Sequence, residues 1–337
     1  MRKRAVYCGI CALCVLMFLS ACSQKKYFEP KDVSLSAQFE GKLPDSIQSV
    51  SRYGAILENL ELLESNGEIN LKLQKNQRFL ARDGRLYLLQ NECKNLALLE
   101  SESKNLSEIS FESCVVSASM SVSQNLLAFV SSENTLFLYD LREKKEIFNQ
   151  KLSPAIAINS LASAPIITQT QVIFPSLDGK ILIFDLRSKI ITRDILIQSD
   201  KFFNNIIYLY AKNDLIIAAT QRRISMILSN ARSFNYDGDF VDMLVSENKI
   251  YVLTNDGKIL ELDNTLKLLR ELKLDYAHFR GIVIKDKKLY TLESAKYLIE
   301  LDLQSFLPVI YKVKLPSKKN LFYTQDSLYY DGRFKRF

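Results

Sequence analysis

From residue 77 to the C-terminus the chain repeats one pattern: a short apolar run, a tight turn, then a second apolar run ending near Asp-Leu. The clearest copy reads QVIFPSL, Asp178-Gly179, KILIFDL. KIYVLTN-DGKILELD (residues 249–263), NLLAFVSS-ENTLFLYDL (125–141) and QRFLA-RDGRLYLLQ (77–90) follow it closely. KLYTLES-AKYLIELDL (288–303) and DLIIAATQ-RRISMILS (214–229) are looser copies, and the chain ends on SLYY-DGRFKRF. Asp-Gly between two apolar runs signals a type I′ hairpin, because Gly takes φ > 0 without steric cost. It occurs at Asp83-Gly84, Asp178-Gly179, Asp256-Gly257 and Asp331-Gly332. Asn134 fills the same slot, and Asn tolerates the left-handed region. Second turn residues at 84, 134, 179, 222, 257, 295 and 332 give intervals of 50, 45, 43, 35, 38 and 37. A period near 40 built from strand-length runs rich in Ile, Val, Tyr and Phe is the mark of a β-propeller. Helical solenoids share such periods but not such short, β-branched runs.

The runs also read as buried on both faces. Ile181, Leu182, Ile183 and Phe184 are all apolar, with no alternation. A sheet with one wet face would alternate, whereas an inner strand sandwiched between two neighbouring blades would not. A third, more polar run follows each pair, at residues 145–152, 189–197 and 266–274, as outer strands should. The predicted fold is all-β: a propeller of about seven four-stranded blades, with six to eight compatible. AILENLELLE and GEINLKL, within residues 50–75, are expected to complete the short C-terminal blade and close the ring.

Ala164-Pro165-Ile166-Ile167, Val172-Ile173-Phe174, Asp178-Gly179-Lys180, Leu182 and Asp185-Leu186 together resemble the repeat of pyrroloquinoline-quinone-type propellers. Among lipidated members the pattern is most similar to the BamB-type lipoprotein of the outer-membrane β-barrel assembly machine. The family repeat places Gly-Lys and a Trp after the Asp. Here those places hold Lys144-Lys145, Lys189 and Lys267, and the chain has no Trp and only 10 Gly.

The N-terminus is a second signal. Arg2, Lys3 and Arg4 precede an apolar stretch that ends near Phe18, the layout of a secretory signal rather than a spanning helix. Leu19-Ser20-Ala21-Cys22 resembles the lipobox of bacterial lipoproteins. That resemblance implies cleavage between Ala21 and Cys22, with fatty acyl chains such as palmitate on Cys22. Residues 1–21 are therefore read as the signal peptide, 22–50 as the lipidated N-terminus and a flexible tether reaching roughly 30 Å, and 51–337 as the propeller domain. The implied location is the cell envelope, lipid-anchored, at the outer membrane and facing the periplasm.

Of 45 basic side chains three leave with the signal, so the mature balance is 42 − 38 = +4, too small for a nucleic-acid partner. Cys8, Cys11 and Cys14 leave as well. Cys93 and Cys114 remain as an even pair in an oxidising compartment, either bridged or separately buried.

No catalytic constellation stands out. The single histidine, His278, is read as a satisfied, partly buried residue, and Glu293 as one scattered carboxylate in a turn. No P-loop, dinucleotide fingerprint or nucleophile elbow is present. No metal site or cofactor is expected. Quinone enzymes on this fold stack their cofactor on a Trp, which this chain lacks. Arg222-Arg223 and Lys318-Lys319 could touch lipid headgroups or an acidic partner. The sequence thus points to a non-enzymatic propeller scaffold, monomeric outside any complex, that binds proteins of outer-membrane assembly. The alternative is a binding lipoprotein that recognises a glycan, peptidoglycan or a host ligand.

Overall fold

The computed structural model describes residues 27–337 apart from 34, 231 and 317–318. The signal peptide, Ala21, Cys22 and Lys318 lie outside the described residues. Every regular element among the described residues is a strand, and the strands form eight sheets. Each sheet is one blade. In chain order the blades span residues 47–72, 77–109, 115–151, 166–196, 208–237, 240–273, 279–313 and 321–336. The first strand of each blade touches a counterpart in a neighbouring blade, and the fourth lies outermost in all but the seventh.

Eight blades rather than seven result because residues 47–72 form a complete blade of their own, with strands Ile47–Val50, Gly54–Leu57, Glu61–Glu64 and Ile69–Lys72. They do not complete the C-terminal blade. That role falls to Gly41–Lys42, which pairs antiparallel with Arg333–Arg336 and supplies the eighth blade's outer strand. The first blade escapes the turn pattern because its second hairpin turns on Leu60, at φ 69°, with neither Asp nor Gly.

The uninterrupted apolar runs have a direct cause. Val172, Phe174, Leu182 and Phe184 pack toward the third blade, against Leu126, Ala128, Val130, Leu136 and Leu138. Ile173 and Ile181, on the other face of the same sheet, pack on Ala218 and Ile227 of the fifth. Fully burying one such side chain contributes about 1.5–3 kcal/mol. Eight such clusters occupy the eight junctions. Outer strands alternate instead, as in Ile190–Leu196, where every second residue is exposed.

The propeller begins ahead of residue 51, and the segment read as a tether is strapped to it. Phe28 is buried at the junction of the sixth and seventh blades. Leu35–Ala37 adds a fifth, parallel strand to the seventh blade, Leu35 opposite Tyr311 and Ala37 opposite Val313. Phe39 is buried at the junction of the seventh and eighth. Two isolated aromatic anchors in a polar stretch leave no periodic trace in the sequence.

Candidate binding surface

Asn134, Asp178-Gly179, Asp256-Gly257 and Asp331-Gly332 all lie between second and third strands. In two of these turns a hydroxyl organises the chain. Ser176 Oγ donates to Asp178 Oδ1 (2.6 Å) and accepts from Lys180 N (2.8 Å). Thr254 Oγ1 does the same with Asp256 and Lys258. Asn134 reaches out of its turn to tie two blades, donating to Ser153 O and accepting from Leu177 N. Asp83-Gly84 is out of phase: it joins the first and second strands of its blade. The equivalent turn there holds Cys93 at φ 60°, and 134 − 93 = 41 restores the period that Gly84 broke.

Cys93 is disulfide-bonded to Cys114, which stands just before the first strand of the third blade. Gln90 lies beside the bridge. It donates to Lys94 O and Ser113 O and accepts from Val115 N, so covalent and polar ties secure one junction together.

Ionisable groups that no sequence motif marks gather at the axis. Arg52, in the first hairpin turn of the first blade, donates from Nη2 to Asp242 Oδ1 of the sixth at 3.3 Å. Tyr323 of the eighth blade donates to the same carboxylate, and Met243 N does so at 2.9 Å. The Arg52 guanidinium also faces the Tyr208 ring of the fifth blade, 5.9 Å from its centroid. Tyr53 reaches the other way and accepts from Ala164 N. Burial alone would lower the Arg52 pKa, but the Asp242 charge overrides it and raises it. Burial, then the Asp242 charge, pushes Tyr323 well up, and burial pushes Tyr208 up to about 12. Arg52 and Tyr323 therefore share the Asp242 carboxylate on the axis, while the buried Arg52 Nε finds no hydrogen-bond partner among the described residues. Tyr323 walls depressions on both faces, and the cluster separates them.

The other sequence candidates are each tied to nearby groups. His278 is exposed rather than partly buried; its backbone N donates to the buried Glu293. Glu293 ends a strand and also accepts from Ala295 N, while burial raises its pKa. Arg222 and Arg223 are paired with Asp239 and Asp237. Lys319 is paired with Asp331. Among the described residues no three His, Cys, Asp or Glu side chains converge as a metal site.

An outward-facing apolar platform remains. The two longest links between blades, residues 152–165 and 197–207, flank the fourth blade. They are zipped together. Phe203 N donates to Ala157 O, Ser163 N to Ile206 O, and Asn159 N to the Oδ1 of the buried Asn205, whose Nδ2 returns a bond to Asn159 O. Asn204 Nδ2 pins the second link to Asp178 O and Gln198 O. This scaffold holds Ile156 (67% exposed), Phe202 (49%) and Phe203 (50%) toward solvent. Phe203 sits at φ 53°, in the left-handed region that bulky residues seldom adopt and that Leu60, Leu266, Tyr276 and Phe306 share in this chain. Leu196 and Ile190 on the adjoining outer strand are also exposed. Sequence reading missed the platform because exposure of single apolar residues in links has no local signature.

Eight blades closed by strands from both ends make this molecule an eight-bladed β-propeller. It superimposes on BamB from Moraxella catarrhalis with a TM-score of 0.65 at 13% identity, over 91% of this chain and 96% of that one. The C-terminal WD40 domain of Sif2 gives 0.65 at 14% identity, over 91% and 99%. No protein-family model matches the sequence. The chain belongs to the family of the plasminogen-binding protein PgbB of Helicobacter pylori: it is 36% identical to PgbB of strain J99 / ATCC 700824 over 374 aligned residues, covering 95% of this chain and 69% of the relative. PgbB of strain ATCC 700392 / 26695 matches to the same extent.

Proposed function

We propose that this chain is a non-enzymatic, lipid-anchored propeller of the bacterial envelope that binds a protein through the platform at its fourth blade, and that the partner is a host protein of the plasminogen class. The observation that carries the binding role is Phe203, an aromatic side chain held half in water by links that buried asparagines tie together. Rigid aromatic anchors supply contact area at little entropic cost and dominate the energetics of protein interfaces. Kinship with PgbB supports the choice of partner. Immobilised lipidated protein is expected to capture plasminogen, and the double variant Ile156→Ser, Phe202→Ser to lose it. Capture that is unchanged in that variant would sink the platform as the site.

A second reading is the barrel-assembly role implied by the repeat resemblance, and the fold shared with BamB favours it. The two readings require opposite faces of the outer membrane. Host-protein binding needs a chain that protease reaches on intact cells, whereas barrel assembly needs one that is protected until the envelope is opened and that co-purifies with the barrel-assembly core subunit. Acyl labelling that disappears in Cys22→Ala is the expected result for the anchor common to both.

A further inference from the structure

We infer that the N-terminal strap decides which flank of the propeller meets the lipid bilayer: the outer edge of the sixth and seventh blades is held against the membrane. The inference rests on the lipid-anchor reading of Cys22. The first anchored side chain is Phe28, 6% exposed and standing edge-on to Tyr297 of the seventh blade at 5.5 Å. From there the strap is fixed by the parallel pairing of Leu35–Ala37, by Phe39, and by Gly41–Lys42 in the eighth blade. Only six residues run from Cys22 to Phe28, and at full extension they span about 20 Å. A compact domain of this length measures roughly 50 Å across. An acyl chain on Cys22 therefore cannot let the molecule turn over. The second and third blades, across the ring, stay far from the lipid.

The flank so presented suits an interface. Tyr27 and Val33 of the strap, Leu268 and Leu269 of the sixth blade's outer strand, and Leu307 before the seventh blade's outer strand are all exposed. Exposed Lys31, Lys267 and Lys312 lie among them, with exposed Glu29, Asp32 and Glu271 balancing their charge. Contact therefore rests on the exposed apolar side chains and the short link to Cys22, with the lysine stems able to reach the headgroup region.

The test uses full-length lipidated protein in phosphatidylethanolamine–phosphatidylglycerol vesicles that carry a headgroup energy acceptor. A donor dye is placed at Leu269→Cys or at Glu108→Cys, exposed positions on the outer strands of the sixth and second blades. Transfer from position 269 is expected to exceed that from 108 several-fold. A Gly–Ser insertion of about 12 residues after Lys26, long enough to free the domain, is expected to abolish the difference. Equal transfer from both sites without the insertion, or a difference that survives it, would overturn the inference. Vesicle flotation separates this from failure of the anchor reading: Cys22→Ala protein that floats as well as the parent sinks the anchor whatever the transfer ratio.

Discussion

Arg52 and Asp242 stand 190 residues apart in sequence, yet their guanidinium and carboxylate meet at 3.3 Å on the propeller axis, with the carboxylate side chain only 2% exposed. Removing one partner of a buried pair strands the other charge in an apolar setting, which costs roughly 3–5 kcal/mol. Asp242→Asn is expected to lower stability on that scale in urea titration. The double variant Arg52→Met, Asp242→Leu should recover only part of the loss, because an apolar pair needs no solvation but Tyr323 OH and Met243 N lose their acceptor. A double variant as unstable as Asp242→Asn would show that the pair does more than satisfy itself.

Gly179 and Gly84 both hold positive φ, at 88° and 55°, but in different surroundings. A Cβ at Gly179 would collide with Gln198 O and Asn204 Nδ2, whereas at Gly84 it would meet nothing within 4 Å. Gly84→Ala should therefore carry only the left-handed penalty, about 1–2 kcal/mol. Gly179→Ala should cost more, since the backbone it meets cannot move aside. Equal thermal midpoints for the two variants would refute this.

The Cys93–Cys114 bridge closes a short loop at one junction. Its loss in a double Ser variant is expected to cost roughly 3 kcal/mol on the chain-entropy model. Reductant should reproduce that loss in the parent and have no effect on the variant. The Gln90 bonds across the same junction should keep the two blades in register, which amide exchange at Val115 would report.

Three aspartates at the end of a third strand, or one residue past it, accept hydrogen bonds from the turn that follows. The amide of Ser188 foremost holds Asp185 below the ordinary carboxylate range; the hydroxyl of Thr265 does so for Asp263, and the amide of Ser305 for Asp302. A depressed folded pKa gives stability that is full above the unfolded value, near 3.9 for Asp, and is lost as pH falls through the folded value. The thermal midpoint is therefore expected to fall with acidification below about pH 4, and the triple Asp→Asn variant to show a shallower fall. Parallel curves for parent and variant would count against this origin of acid sensitivity.

Phe203→Gly separates binding from stability. It relieves a strained φ of 53° and removes a half-exposed ring. Stability should hold or rise by up to about 1 kcal/mol, while, on the proposed role, plasminogen capture weakens at least tenfold, on the scale of an aromatic hot spot. A fall in stability with binding intact would make Phe203 a structural residue.

Much of the architecture was legible because its causes are local. Asp178-Gly179 and Asp256-Gly257 need their glycines at φ 88° and 81°, and Asp185-Leu186 marks a strand end because the carboxylate caps the next turn. What failed had non-local causes. Lys144 and Lys189, where related repeats carry Gly, hold φ 50° and 58°, so a backbone requirement was met without its usual residue. The first blade turns on Leu60, and Asp83-Gly84 marked the wrong hairpin. The strap, the axial pair and the platform depend on contacts between residues tens to hundreds of positions apart, which no window of sequence displays.

The ring is closed by the strand Gly41–Lys42, and that strand is continuous with Leu35–Ala37 and Phe28 upstream. A mechanical pull on the N-terminus enters at Phe28 and must peel the parallel strand from Tyr311 and Val313 before any load reaches the closing strand. The peripheral contacts yield first and in sequence. Force is thus taken up first by the strap while the strand pairing within the blades holds, so the N-terminal segment lengthens before the ring opens.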